Sequence, residues 1–214
     1  MTAGLVVGVD GVVASGKTTL VRELTSRLGA VLVPEYAPHP GVGPGVAPPA
    51  DVPSGWRVQR HYLVEEERRG RAVGPGTTAV LDRTVLSQAA HVDAVHRTGG
   101  PDLRSRLADW LARGRAVEPD VVVTLTGERD ASRERCAVRE AGPDRHGTAD
   151  LYVDEEYQRA FDAFLGRLAE RLPDRVVVFP PCPEPRAVAD RVLSRSARRR
   201  PPRLVTALVD ELWC

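Results

Sequence analysis

Residues 11–18 of this 214-residue chain read Gly11-Val12-Val13-Ala14-Ser15-Gly16-Lys17-Thr18 and fit the pattern G-x-x-x-x-G-K-[ST]. The apolar run Leu5–Val9 in front of them is typical of a buried strand. Behind them, apolar residues recur at helical spacing over residues 18–28, and Gly29 stands where a helix would end. A chance match to the pattern would not bring this context, so the segment predicts a tight turn between a buried strand and an amphipathic helix.

A turn of this composition can bind phosphate groups. Its backbone N–H groups point at anionic oxygens, a lysine reaches the outer phosphates, and a threonine hydroxyl can hold a magnesium ion. The sequence therefore predicts binding of ATP with Mg²⁺, and Thr18 is the first candidate metal ligand. The residues expected to contact the nucleotide are Gly11, Ala14, Ser15, Gly16, Lys17, Thr18 and Thr19.

Length, net charge and cysteine content indicate which kinds of partner and site this protein is expected to have and which it is not. The chain suits one domain, and its net charge of +1 gives no reason to expect a nucleic-acid partner. Its three cysteines show no metal-binding or disulfide pattern, and no apolar run approaches the ~20 residues that span a bilayer. We expect a single soluble domain over residues 1–214, located in the cytoplasm, with no membrane partner.

Five short apolar runs, each typical of a buried strand, alternate with segments of helical period. Strands separated by helices predict a parallel sheet with helices on both faces. The predicted fold class is therefore α/β, with the three-layer P-loop NTPase fold and a five-stranded parallel sheet. The predicted strands are Leu5–Val9, Ala30–Val33, Thr78–Leu81, Val121–Leu125 and Val176–Phe179.

Three segments interrupt this pattern. The Pro- and Gly-rich stretch Pro38–Pro53 is predicted to be irregular, either as a surface connection or as a loop that contacts substrate. Residues 139–149 are interpreted as a lid. A basic run, Arg195–Arg203, separates two helices of a C-terminal extension over residues 185–214, and its composition favours a solvated linker over a nucleic-acid or lipid contact.

Charged residues stand just after two of the predicted strands. In open α/β sheets, ligands bind at these carboxyl ends of the strands. Glu35 follows the second strand and could accept a proton from a hydroxyl, or it could simply face water. Asp82 and Arg83 follow the third strand. Asp82 could hold magnesium and Arg83 could bind a phosphate or the acceptor, or the two could form a salt bridge beside a helix cap at Thr84.

Arginines gather before and within the predicted lid, at positions 129, 133, 135, 139 and 145. Guanidinium groups on a closing lid can stabilise the charge of a transferring phosphoryl group. Arg133, Arg139 and Arg145 are the candidates for this role, although any one of them could instead be solvated.

These residues resemble the deoxynucleoside kinase and thymidylate kinase group of P-loop enzymes. The loop Asp10–Thr19 looks like that of the deoxynucleoside kinases, and Pro34-Glu35 falls at their Glu-Pro element, with the order reversed. Asp82-Arg83-Thr84 is similar to the Glu-Arg-Ser element of deoxynucleoside kinases and the Asp-Arg-Tyr element of thymidylate kinases. The resemblance implies that Glu35 is a catalytic base, that Asp82 contacts metal or a hydroxyl, and that Arg83 binds substrate. It also implies a homodimer.

The segment Trp56–Leu63 resembles the substrate helix of this group, in which a glutamine reads the nucleobase. Gln59 inherits that possibility, or is an ordinary exposed helix residue. Trp56 and Tyr62 could pack against a base or sugar, or belong to the core.

The thymidylate kinases' Arg-Glu-Pro-Gly-Gly run has no counterpart after the second strand, where Glu35-Tyr36-Ala37-Pro38 stands instead. This difference favours a nucleoside-like hydroxyl acceptor over a nucleoside monophosphate. We therefore expect an ATP-dependent kinase for a nucleoside-like small molecule. The alternatives are a nucleoside monophosphate kinase and, in another class, a nucleotide-binding regulatory protein.

Overall fold

The computed structural model describes residues 4–39, 48–126, 154–196 and 203–213. All five predicted strands occur within these ranges, with ends shifted by no more than two residues from the apolar runs. They are β1 (Val6–Gly11), β2 (Val31–Val33), β3 (Ala79–Asp82), β4 (Val121–Leu125) and β5 (Val176–Phe179). The helices of the same ranges are α1 (Lys17–Leu28), α2 (Val52–Ala72), α3 (Val85–Arg97), α4 (Arg104–Ala112), α5 (Glu155–Arg171), α6 (Pro185–Ser196) and α7 (Leu204–Trp213).

The strands form one parallel sheet in the order β2-β3-β1-β4-β5. In this order the first strand lies between the third and the fourth, and Val9 of β1 pairs with Asp82 of β3. Because the strands are parallel, all their carboxyl ends lie along one edge of the sheet. The phosphate-loop candidate, the Asp82-Arg83 pair and the residues after β2 are therefore neighbours in space.

Two apolar cores flank the sheet and confirm the three-layer architecture. One lies between the sheet and helices α1 and α6, and the other brings together residues of α3, α4, α5 and α7. The expectation that every strand is buried was wrong for the two edge strands, β2 and β5; on β5, Val178 is 46% exposed. On β2, Val31 is 49% exposed and Leu32 is 42% exposed, because among the described strands β2 pairs only with β3.

Helix boundaries follow the local signals in the sequence. Gly29 adopts a left-handed conformation (φ +57°) after α1, as the sequence predicted for a helix end. The prediction that residues 38–53 are irregular was wrong at its last two positions, because α2 begins at Val52. The Asp51 carboxylate accepts a hydrogen bond from the Ser54 backbone N–H (2.7 Å), and a proline in the first helical turn lacks only an N–H that would be unpaired anyway.

The C-terminal extension contains two helices, as expected, and the last one is anchored by side chains of the main body. The carboxylate of Glu118 accepts hydrogen bonds from the backbone N–H groups of Leu204 and Val205 at the start of α7. Near its other end, Glu211 is bonded to Arg167 and Arg171 of α5. The basic residues 197–202 between α6 and α7 lie outside the described residues.

Within the described ranges, none of the helices combines the length and the apolar character that a membrane crossing requires.

Candidate active site

The loop after β1 wraps around the side chain of Lys17. The Lys17 ammonium group donates hydrogen bonds to the backbone oxygen of Val12 (2.5 Å) and to the hydroxyl of Ser15 (3.5 Å). The turn uses left-handed backbone at Ala14 (φ +60°) and Gly16 (φ +92°). Since Lys17 is the first residue of α1, the loop places this amine beside the positive end of a helix dipole, where anions are stabilised.

Gly11, at the start of the loop, has no space for a side chain. Its φ is +141°, and a Cβ atom there would lie 2.3 Å from the backbone oxygen of Leu125 on β4. The first glycine of the pattern is therefore required by close packing of β1 against β4 as well as by the turn.

Lys17 is almost completely buried, with 6% of its side chain exposed. Burial, reinforced by the positive charge of Arg83, lowers its pKa to about 7, although Glu35, Asp82 and Asp10 act in the opposite direction. Lys17 is also the only lysine in the chain. It can therefore be followed selectively with amine-directed chemistry.

We expect an acylating reagent to label Lys17 with a rate that rises through pH 7 and levels off above about pH 8, because only the neutral amine reacts and its pKa is about 7. An ordinary lysine would show this rise near pH 10. Mass spectrometry of the peptide containing residue 17, with the N-terminal amine as internal control, measures the rate. Magnesium–ATP should protect Lys17 and leave the N-terminus unaffected; equal labelling with and without nucleotide would contradict this placement of the lysine.

Asp10, at the end of β1, connects the loop to the segment after β3. Its buried carboxylate accepts hydrogen bonds from the Thr84 backbone N–H (3.0 Å), the Thr84 hydroxyl (2.7 Å) and the Ser87 hydroxyl (2.5 Å). Thr84 also caps α3 by accepting from the Leu86 N–H (3.1 Å), which confirms the cap that its position suggested. Asp10 thus fixes the start of α3 relative to the phosphate loop.

Replacing Asp10 with Ala should lower the free energy of unfolding by about 2–5 kcal/mol, because three buried donors lose their common acceptor. Urea denaturation of Asp10→Ala against the parent chain measures the difference. Glu23→Ala, on the exposed face of α1, is the matched control and should stay within about 0.5 kcal/mol of the parent. A similar small change for Asp10→Ala would show that this carboxylate does not organise the site.

Arg83 connects the second and third strand ends. It adopts a left-handed conformation (φ +64°) that is unfavourable for a non-glycine residue, and the turn is held by a hydrogen bond from its N–H to the Val9 oxygen (3.0 Å). Its guanidinium group forms an ion pair with Glu35 and also donates to the Gly11 oxygen (3.3 Å). The suggested Asp82–Arg83 salt bridge is therefore replaced by a pair that joins Glu35 to the rim of the phosphate loop.

Glu35 is half-exposed, and its charge is controlled by its neighbours. Burial raises its pKa, but the positive charges of Arg83 and Lys17 outweigh this effect, so the pKa lies below its ordinary value. Glu35 is consequently ionised at neutral pH and positioned beside two cationic side chains. It does not simply face water.

Asp82 lies on the inner side of the same cluster and is almost fully buried. The Thr18 hydroxyl hydrogen-bonds its carboxylate, while its Oδ1 atom has no hydrogen-bond partner within the described residues. Burial and the negative charge of Glu35 raise the pKa of Asp82, and Thr18, Arg83 and Lys17 only partly offset this. A buried carboxylate oxygen beside a threonine hydroxyl at a phosphate loop fits the few protein ligands that magnesium takes when phosphate oxygens and water supply the rest.

Three residues that sequence reasoning missed hold the Asp82-Arg83 turn in place. Arg69 of α2 donates to the backbone oxygens of Asp82 (2.9 Å) and Arg83 (2.6 Å), and its guanidinium lies 4.2 Å from the centre of the Tyr36 ring. Glu66 binds Arg69 (3.1 Å) and accepts from the Tyr36 hydroxyl (2.9 Å). Arginines and glutamates are numerous in α2, so nothing in the sequence singled out this pair.

Helices α2 and α3 also carry buried polar side chains. Gln59 is only 2% exposed, so the alternative of an ordinary exposed residue was wrong; its amide nitrogen donates to the Gln88 side-chain oxygen (2.9 Å). Trp56 packs partly against the core.

His91 on α3 is another residue that sequence reasoning missed. Its ring forms a hydrogen bond with the Tyr157 hydroxyl (2.8 Å). Burial, together with the positive charge of Arg83, lowers the pKa of His91 to about 4.

The structure thus brings Lys17, Thr18, Glu35, Asp82 and Arg83 together at one edge of the sheet, with Gln59 and Trp56 on the neighbouring helix. Thr19 lies on the exposed side of α1. The lid over residues 139–149 and the arginines Arg133, Arg139 and Arg145 lie outside the described residues.

Comparisons with known proteins show the fold. No protein-family model and no curated protein sequence matches the chain. Among solved structures, it is similar to a deoxyadenosine kinase from M. mycoides with bound products (TM-score 0.63, 13% identity, covering 89% of this chain and 97% of that chain). It is also similar to thymidylate kinases from Candida albicans (TM-score 0.63, 15% identity, 91% and 92% covered) and Ehrlichia chaffeensis (TM-score 0.59, 13% identity, 90% and 98% covered). The predicted α/β fold, with a five-stranded parallel sheet flanked by helices, is confirmed.

Proposed function

We propose that this protein is a magnesium- and ATP-dependent kinase that transfers the γ-phosphoryl group to a hydroxyl of a nucleoside or nucleoside-like small molecule. The observation that carries the proposal is the ionised Glu35, paired with Arg83, beside a loop that encloses Lys17. A protein that only binds nucleotides has no need of a carboxylate–guanidinium pair at this rim. The fold shared with deoxyadenosine and thymidylate kinases supports the same class of reaction.

The donor side of the reaction is assigned to the loop and Lys17. Backbone N–H groups of the loop and the Lys17 ammonium hold the phosphates, and an anionic ligand would raise the pKa of Lys17 and keep it charged. Thr18 and Asp82 would hold magnesium, which neutralises charge on the phosphate oxygens when bound. The arginines Arg133, Arg139 and Arg145 remain proposed for the transferring phosphoryl group.

The acceptor side is assigned to Glu35 and Arg83. The acceptor hydroxyl oxygen bonds to the γ-phosphorus as the bond to the β–γ bridging oxygen breaks, and the hydroxyl proton passes to the Glu35 carboxylate. Arg83 holds Glu35 in place and faces the charge that develops on the phosphoryl group. Phosphoryl transfer needs mainly positioning and charge neutralisation, and these residues supply both.

A panel of acceptors tests the proposal. The protein is incubated with magnesium and ATP plus nucleosides, nucleoside monophosphates or small alcohols, and products are identified by mass. We expect a nucleoside or a similar hydroxyl compound to gain one phosphate, and the activity to disappear when EDTA removes the metal. Phosphorylation of monophosphates alone would move the assignment to that class of kinase, while nucleotide-dependent binding of a protein without any phosphorylated product would favour a regulatory role.

A further inference from the structure

A buried ion pair joins two residues of α2, Glu66 and Arg69. Glu66 is 1% exposed and Arg69 is 8% exposed, and their charged groups are 3.1 Å apart. Glu66 also accepts hydrogen bonds from the Tyr36 hydroxyl (2.9 Å) and from the Val117 backbone N–H (3.1 Å). Because two charges lose their hydration on burial, apolar side chains of similar size often stabilise a fold as well as such a pair does. The pair is therefore better explained by the position that it gives to its neighbours.

Arg69 contacts both segments that carry the Glu35–Arg83 pair. Its Nη2 atom donates to the backbone oxygens of Asp82 (2.9 Å) and Arg83 (2.6 Å), in the turn after β3. Its guanidinium group lies 4.2 Å from the centre of the Tyr36 ring, and Tyr36 directly follows Glu35 after β2. One side chain thus connects the turn that carries the guanidinium partner with the segment that carries the carboxylate.

The guanidinium group of Arg69 has the shape that these contacts need. Its Nη1 atom binds Glu66, its Nη2 atom binds two backbone oxygens, and its face covers the Tyr36 ring. A lysine ammonium is a compact point charge, so it cannot form the ion pair, span both carbonyl groups and stack on the ring at the same time. The three side chains Tyr36, Glu66 and Arg69 form a unit that we call the Arg69 cluster.

Resting on the proposed function, we propose that the Arg69 cluster positions the catalytic base by holding Glu35 against Arg83 at the rim of the phosphate loop. None of its three members is assigned to the donor, the metal or the acceptor, so the cluster acts through the pair that it holds. If the cluster loosens, the turn after β3 moves relative to the segment after β2, and the Glu35 carboxylate loses its ion-pair partner. The acceptor hydroxyl then meets a base that is misplaced and more easily protonated.

The charge of Glu35 reports on this positioning. Burial raises its pKa, whereas the positive charges of Arg83, Lys17 and Arg69 lower it, and the pKa lies below its ordinary value. A displaced Arg83 would lower the pKa of Glu35 less, so the carboxylate would take up a proton at a higher pH. Since the proposed base acts only when it is ionised, the acid limb of the pH profile of kcat would then move to higher pH. A cluster that merely supports the fold would leave this limb in place.

Arg69→Lys tests the geometry of the cluster because it keeps the positive charge. We expect kcat to fall about 10- to 30-fold. The KM for ATP should stay within about threefold of the parent value, since Lys17 keeps its bonds within the phosphate loop. The acid limb of the kcat profile should move up by about one pH unit.

Arg68→Lys is the matched control for Arg69→Lys. Arg68 is exposed and forms an ion pair with Glu65 at the same i,i+3 spacing, one residue earlier on α2. The same chemical change is therefore made in an equivalent pair that does not touch the Asp82-Arg83 turn. Its kcat, its KM for ATP and the acid limb of its pH profile should match those of the parent.

A direct titration of Glu35 makes the test independent of turnover. Glutamate with an isotopically labelled carboxyl carbon is followed by NMR against pH, and the Glu35 signal is the one that is missing in Glu35→Gln. We expect the midpoint of this titration to lie about one pH unit higher in Arg69→Lys than in the parent or in Arg68→Lys. Tyr36→Phe keeps the ring but loses the hydrogen bond to Glu66, so its midpoint should shift less and in the same direction.

Thermal unfolding shows whether each variant is folded. An unchanged Glu35 midpoint in folded Arg69→Lys would overturn the proposal, and so would a loss of kcat without any shift of the acid limb. If Arg69→Lys does not fold, Tyr36→Phe decides by the same two measurements, and an unshifted midpoint there would overturn the proposal. A parent chain that phosphorylates no member of the acceptor panel would remove the kinase proposal, whereas a shifted midpoint would still establish that the cluster holds this carboxylate.

Discussion

Replacing Lys17 with Ala should reduce phosphoryl transfer by at least about 10³-fold, because the loop loses its only ammonium group at the outer phosphates. The kcat/KM for ATP, measured with the best acceptor of the panel, gives the effect. The fold should survive, since removing a buried amine whose pKa is held at about 7 removes a group that burial disfavours in its charged form. Circular dichroism and thermal unfolding check this point.

Arg22→Ala is the matched control for Lys17→Ala. Arg22 lies on the exposed face of the same helix, so this variant also removes one positive charge from α1 but leaves the loop untouched. Its kcat/KM should remain within about twofold of the parent value. Comparable losses in the two variants would mean that net charge, and not the geometry of Lys17, governs the reaction.

Replacing Glu35 with Gln should lower kcat by about 10²-fold or more, because an amide cannot take the acceptor's proton. ATP affinity should change little, since Glu35 belongs to the acceptor side and Lys17 keeps its bonds to Val12 and Ser15. Single-turnover kinetics measures the chemical step, and calorimetry with an ATP analogue measures binding. Glu23→Gln makes the same chemical change on the exposed face of α1, away from the site. It should change neither the single-turnover rate nor the affinity for the ATP analogue.

Full turnover in Glu35→Gln would contradict its assignment as the base. A monophosphate acceptor, which needs no such base, would then account better for the site. Loss of both ATP binding and turnover would instead show that Glu35 acts by holding Arg83, with which it forms its ion pair. The two measurements together therefore separate proton transfer from support of the phosphate loop.

The support beneath Arg83 explains why a strained backbone persists there. A left-handed non-glycine residue costs about 1–3 kcal/mol, and it remains only where its surroundings hold it. Arg69 binds the two carbonyl oxygens of the turn, and Asp10 binds the residue that follows it. Neither Arg69 nor Asp10 is among the residues assigned to the acceptor. Their hydrogen bonds therefore compensate the backbone strain, and the Arg83 side chain can pair with Glu35.

The sequence by itself predicted the elements that depend on local patterns. The pattern around Lys17, the alternation of apolar runs with helical segments, and Gly29 were sufficient for the fold class and the sheet. The carboxyl-end rule for parallel sheets then placed Glu35, Asp82 and Arg83 together. The lid, its arginines and the homodimer stay predictions, since the lid falls outside the described residues and the dimer concerns a second chain.

Only the tertiary structure decided how the side chains pair. That Arg83 binds Glu35 and not Asp82, that Asp10 joins β1 to α3, and that Gln59 meets Gln88 are contacts between residues 29 to 77 positions apart. Local sequence patterns report the conformation of a few neighbouring residues, whereas such pairings depend on strand order, helix placement and burial, which many distant residues set together. For the same reason, neither the exposure of strand β2 nor the lowered pKa of Lys17 could be predicted from the sequence.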